Sequence, residues 1–167
     1  LRSTGAPSIE KTGKARMLCY FDSSAVLAIL LDETRREEAS ELWNAASVRL
    51  GSILLKLETI TVLRRTHMHN KERLGPNWIS KKLNELYEYL NEVNFRIIDG
   101  DIEKIILLKK ELAQCRTLDA IHIATAIDFS NQLHSNSVSV CTFDATMAAL
   151  AKRFNFSVNN KKEVDWL

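Results

Sequence analysis

Turn-forming residues are scarce in this sequence: its 167 residues include 5 glycines and 2 prolines. A many-stranded sandwich or barrel needs more punctuation than that, so a helix-rich fold is expected. Cysteine is sparse as well, at 3 residues, and Cys19, Cys115 and Cys141 contain no C-x-x-C pair. That argues against a disulfide framework and a structural zinc site, and makes a reducing compartment such as the cytoplasm the default setting. Cys19 and Cys141 lie inside apolar runs and read as small buried hydrophobes. No apolar run approaches the roughly 20 residues needed to cross a bilayer, so no membrane span is expected. A strong charge of one sign is also lacking: 23 Lys and Arg face 21 Asp and Glu, a net +2. Net charge alone is therefore a weak pointer to a polyanionic partner.

What is present is an ordinary globular composition, 46% hydrophobic and 26% charged, at a length that suits one domain. Residues 1–16 carry no apolar segment and do not read as a signal peptide. They are expected to be an expression remnant or a disordered lead, with a single domain over 17–167.

Met17-Leu18-Cys19-Tyr20-Phe21 is a short apolar run that reads as a strand, and Asp22-Ser23-Ser24 signals a helix N-terminus directly after it. Thr34 to Val48 reads as an amphipathic helix with Ala39, Leu42, Trp43 and Ala46 on its apolar stripe. After a break at Gly51-Ser52, a helix is expected from Ile53 to about His69, with Leu54, Leu57, Ile60 and Leu63 in register. Asn77 is a candidate cap for a helix over Trp78 to Asn91, with Leu83, Leu86, Tyr87 and Leu90 on one face. Phe95 to Ile98 reads as a strand and Ile102 to Cys115 as a helix. Thr117 to Asn131 is apolar almost all round, which predicts a buried helix. Val138 to Thr142 reads as a strand, Asp144 opens a helix, and Phe156-Ser157-Val158 is a candidate edge strand. Strands alternating with helices predict an α/β fold, a central parallel sheet of four or five short strands flanked by helices on both faces.

In such a sheet the site lies beyond the carboxyl ends of the strands. Asp22 and Asp144 fall there, each just after a strand. Glu58 and Asp119 sit within strongly apolar helices. Four converging carboxylates would repel one another and raise each other's pKa. Hard divalent cations relieve that repulsion, and Mg²⁺ or Mn²⁺ takes oxygen ligands while keeping several waters. Such ions can activate a water and stabilise the oxygens of an in-line phosphoryl displacement. Setting these four aside leaves 17 of the 21 acidic side chains against 23 basic ones, an excess suited to a polyanion. Taken singly, each acid also has a simpler reading. Asp22 and Asp144 could cap helices, Asp119 could favour a first helical turn, and Glu58 could be solvated.

At these residues the sequence resembles the PIN-domain ribonucleases, and within them the VapC-type toxins of bacterial toxin–antitoxin systems. The stretches that carry the resemblance are Tyr20 to Ala25, Leu57-Glu58, Arg116 to Ala124 and Thr142-Phe143-Asp144, in the family's order. The resemblance implies a PIN-like fold, Mg²⁺- or Mn²⁺-dependent RNA cleavage leaving a 5′-phosphate and a 3′-hydroxyl, and Asp22, Glu58, Asp119 and Asp144 as metal-binding acids. It makes Thr142 the hydroxyl residue near the last acid, and places Ser23 and Ser24 where the family has small polar residues. It also implies inhibition by a cognate VapB-type antitoxin, for which the Ala39, Leu42, Trp43 and Ala46 stripe could form a groove wall, and a homodimer. Lys56, Arg64, Arg65 and Arg116 are candidate phosphate contacts. His122, one turn from Asp119, could orient an acid or a water, or could be a satisfied core histidine. His67 and His69 could bind a metal, but they end a helix, where positive charge is favoured. Two alternatives stay open. One is a catalytically inactive PIN-like scaffold that binds RNA or protein. The other is a haloacid-dehalogenase-like phosphatase, whose Asp-x-Asp is not matched because Ser24 stands at its second acid.

Overall fold

The computed structural model describes residues 17–134 and 137–160. The expectations for residues 1–16 and for the last seven residues of the 17–167 domain lie outside this range.

Among the described residues five strands form one sheet: β1 (Leu18–Phe21), β2 (Val48–Ser52), β3 (Val93–Arg96), β4 (Val138–Cys141) and β5 (Ser157–Val158). Their order is β3-β2-β1-β4-β5 and every pairing is parallel. Among the described residues the α-helices are α1 (Ser23–Leu30), α2 (Arg36–Ala45), α3 (Ile53–His69), α4 (Lys71–Leu74), α5 (Trp78–Leu90), α6 (Gly100–Leu108), α7 (Thr117–Gln132) and α8 (Ala145–Arg153).

Side chains alternate across β1, and each face builds its own core. Cys19 and Phe21 pack with Val26, Leu42, Trp43, Leu55 and Leu86 from α1, α2, α3 and α5. Leu18 and Tyr20 pack with Ile102, Ile123, Phe129 and Met147 from α6, α7 and α8. Helices therefore cover both faces, as the strand–helix alternation predicts. The strand order reverses between β1 and β4, and this switch point is where open parallel sheets place their sites.

Strand β2 has no counterpart in the sequence reading. Val48-Arg49-Leu50-Gly51-Ser52 lacks an apolar run because Arg49 stacks over Trp43 at 5.1 Å and pairs with Glu92 at 3.1 Å. Gly51 belongs in a strand here because a Cβ would come within 3.1 Å of Val93 on β3. The helix expected from Thr34 to Val48 therefore ends at Ala45, and that expected to Cys115 ends at Leu108, followed by a 3₁₀ turn, Lys110–Gln114. The third strand begins at Val93, two residues early, and ends at Arg96. Asn77 precedes α5 but makes no side-chain cap bond. Leu57 and Tyr87, assigned to apolar faces, are exposed.

The stripe of Ala39, Leu42, Trp43 and Ala46 is buried in the body of the domain. Trp43 meets Phe21 at 4.8 Å and Tyr89 at 5.1 Å, so this face is core and forms no open groove wall. The cysteines are free, and Cys19 and Cys141 are buried. Among the described residues, no helix is long and apolar enough to cross a membrane.

Candidate active site at the sheet switch point

Asp22 follows β1 directly and caps α1, accepting from Ala25 N at 3.3 Å. It is only 5% exposed, and burial raises its pKa. Hydrogen bonds oppose that rise: Ser24 Oγ donates to Oδ1 at 2.6 Å and Thr142 Oγ1 to Oδ2 at 2.5 Å. Thr142 follows β4, so this bond crosses the switch point. The Thr142 hydroxyl also accepts from Asp144 N at 3.2 Å. Asp144 caps α8 through Met147 N at 2.8 Å and is otherwise exposed. The cap readings of Asp22 and Asp144 are thus correct, and Thr142 links the Asp22 carboxylate to the Asp144 backbone.

Ser24 accepts from Phe143 N at 2.8 Å, fixing the link between β4 and α8. Asn159 locks the same link from beyond β5. Its Oδ1 accepts from Thr142 N at 3.0 Å and its Nδ2 donates to Thr142 O at 2.9 Å. Asn159 has φ of 51°, a conformation Asn tolerates better than most residues. The sequence reading missed it, since an Asn past a two-residue edge strand carries no signal of its own.

Glu58 lies on α3 and receives a hydrogen bond from His122 Nε2 at 2.9 Å. His122 Nδ1 in turn meets the buried Tyr20 hydroxyl at 2.7 Å. Burial raises the Glu58 pKa, but the His122 hydrogen bond and charge, with a bond from Ser23, outweigh it and hold the carboxyl below its usual range. Burial, with the Asp22 and Glu58 charges, pushes the Tyr20 hydroxyl well above its usual value, so it stays protonated. His122 therefore fits both earlier readings: it is a satisfied core residue and it orients an acid.

Asp119 lies in the first turn of α7. Burial raises its carboxyl, and so do the negative charges of Asp144 and Glu58; His122 and Arg116 pull the other way. Asp119 therefore lies within reach of the Asp144 and Glu58 charges, while Asp22 is tied to the Asp144 backbone through Thr142. Among the described residues, no three carboxylate, imidazole or thiolate groups close into a ligand set on their own. The fit to a hard divalent cation rests on chemistry. The donors are carboxylate oxygens, their mutual repulsion is what a cation removes, and such ions complete their shell with water.

The remaining candidates lie along α3 and just before α7. Lys56 stands 5.4 Å over the Tyr87 ring, toward α5. Arg64 and Arg65 are exposed and lie about 10 Å further along α3 than Glu58 at 1.5 Å per residue. Arg116 immediately precedes α7, next to Asp119. His67 stacks on Trp78 at 6.1 Å, and its Nε2 meets Gly75 O at 3.1 Å; His69 is exposed.

The PIN domain family model matches residues 19–153, so the chain belongs to the PIN-domain family. Two solved structures share this fold at low sequence identity. A toxin–antitoxin complex from Klebsiella pneumoniae superposes with a TM-score of 0.57 at 19% identity, covering 87% of this chain and 99% of that one. Mycobacterium tuberculosis VapC20, a sarcin-ricin loop cleaving toxin, superposes with a TM-score of 0.53 at 18% identity, covering 78% and 93% respectively. No curated protein matches the chain in sequence.

Proposed function

We propose that this protein is a divalent-metal-dependent endoribonuclease of the VapC toxin type, acting on single-stranded or loop RNA. The observation that carries the reading is the Asp22–Thr142–Asp144 network across the switch point, with Asp119 within reach of the Asp144 and Glu58 charges. Membership of the PIN family and the toxin neighbours support it.

In this reading Asp22, Glu58, Asp119 and Asp144 hold Mg²⁺ or Mn²⁺. The ion supplies Lewis acidity and lowers the pKa of a bound water. The chain supplies placement. Thr142 and Ser24 fix both oxygens of Asp22, and His122 fixes Glu58. Rigid acids lower the reorganisation needed in the transition state. Arg116 stands where it can meet a phosphate near Asp119. A cognate antitoxin, a homodimer and a cytoplasmic setting belong to the same reading. An antitoxin segment would have to engage a surface other than the buried α2 stripe.

The test is cleavage of RNA by the purified chain with Mg²⁺ or Mn²⁺, with chelator, and with Asp119→Asn. Metal-dependent cleavage leaving 5′-phosphate ends, lost in Asp119→Asn without loss of fold, is expected. Equal cleavage by the variant would refute the site assignment. Metal binding without cleavage would favour an RNA-binding scaffold, and an aspartyl-phosphate on Asp22 would favour a phosphatase.

A further inference from the structure

Four cations were singled out from sequence as phosphate contacts, and three of them lie on α3, Lys56 over the Tyr87 ring and Arg64 and Arg65 further along the helix. The structure brings a different one to the Asp22–Thr142–Asp144 network. Arg35, just before α2, lays its guanidinium over the Phe143 ring, 4.0 Å from the centroid. Phe143 is the residue between Thr142 and Asp144, and Ser24 holds its backbone N–H. Its ring packs against the core on the α1 and α2 face.

We infer that Arg35 binds the RNA strand beside the acids, stacking an unpaired base on its open face and meeting a phosphate with its Nη1 edge; this rests on the ribonuclease reading. Glu38 holds the guanidinium plane through Nε at 2.9 Å and through Nη2 at 2.9 and 2.8 Å. Those bonds leave the Nη1 hydrogens without a partner among the described residues. The Arg35 side chain is still 47% exposed, so with one face on Phe143 its other face is open to solvent. An exposed ion pair three residues apart adds little to stability by itself. A guanidinium plane fixed in advance is a platform for splayed single-stranded bases, and a lysine cannot reproduce it. Arg116 lies on the α7 side of the acids and Arg35 on the α2 side. A strand crossing the carboxyl end of the sheet would meet the acids between two arginines.

The experiment measures anisotropy of a short fluorescein-labelled single-stranded RNA of mixed sequence, with Mg²⁺, in the uncut Asp119→Asn background. Adding Arg35→Ala is expected to weaken binding about ten-fold and to reduce the salt slope by about one. Arg35→Lys should restore the slope but not the affinity, and the loss should be smaller for the same sequence as a duplex. Unchanged affinity in Arg35→Ala, with the parent still binding and the wild type still cleaving, overturns this inference alone. The same holds if Lys fully restores affinity, or if Arg35→Ala disturbs binding of an acidic protein partner but not of RNA. A wild type that neither binds nor cuts RNA with Mg²⁺ or Mn²⁺ overturns the ribonuclease reading as well.

Discussion

His122 on α7 and Glu58 on α3 are 64 residues apart, yet Nε2 and Oε2 meet at 2.9 Å. The bond joins the helical layers of the two sheet faces at the carboxyl end of the strands. His122 is 4% exposed, and behind it the Tyr20 hydroxyl meets Nδ1. A relay from core to surface therefore sets the angle of one acid.

Removing the far end of that relay should be felt at its near end. Tyr20→Phe keeps the ring and deletes the hydroxyl, leaving the buried Nδ1 without its partner. A loss of about 1–3 kcal/mol in stability is expected, read by urea unfolding, with a reduced single-turnover cleavage rate. Unchanged values in both measurements would show that the ring is held by packing alone.

Burial, joined by the repulsion of Asp144 and Glu58, raises the Asp119 carboxyl and predicts a metal-linked stability change. In chelator, Asp119→Asn should melt at or above the wild-type temperature, because a like charge beside Asp144 and Glu58 has been removed. With Mg²⁺ or Mn²⁺ the wild type should gain by mass action, by roughly 2.7 kcal/mol at a hundred times the dissociation constant. The variant should gain less. Thermal melts at several metal concentrations test both parts, and equal gains would remove Asp119 from the ligand set.

A second charged cluster fixes the edge of the sheet. Arg96 on β3 bonds Asp99 at 2.6 Å and Asp128 of α7 at 2.7 Å. The Arg96 hydrogen bond, aided by backbone N–H groups, holds the Asp99 carboxyl below its usual range. A carboxyl depressed in the folded state stabilises above its unfolded pKa, about 3.9, and that contribution fades as pH falls through the folded value. Asp99→Asn keeps a good helix cap but loses the charge. Its deficit in urea midpoint should be full at neutral pH and shrink at acid pH below 4 or so. A deficit independent of pH would exclude the charge as its cause.

Gly51 tests why β2 escaped detection. In Gly51→Ala the new Cβ would sit 3.1 Å from Val93 Cγ1 and 3.4 Å from Leu55 Cδ1. Overpacking of about 1–3 kcal/mol is expected, and Val93→Ala in the same chain should recover part of it. Additive losses in a double-mutant cycle would sink the contact as the explanation.

The alternation of short apolar runs with helical stretches made the layered architecture legible, and the positions of Asp22 and Asp144 after strands pointed to the switch point as the candidate site. Local pattern could not show β2, whose Arg49 and Gly51 owe their identity to Trp43, Glu92 and Val93. Nor could it orient the α2 stripe: an amphipathic pattern says that a face is covered, and tertiary packing decides by what. The four acids were legible as residues. The groups that aim them were less so, because Tyr20, Thr142 and Asn159 act across strands or from the far edge of the sheet.

The grip of Asn159 on both backbone groups of Thr142 has a consequence for where this PIN domain can be trimmed. The family match stops at residue 153, and a fragment cut there would retain all four carboxylates. It would lose the amide latch that keeps Thr142 facing Asp22. Such a fragment should keep its four candidate acids yet hold the Thr142 turn loosely, so the outermost strand and its following Asn belong to any working unit built on this domain.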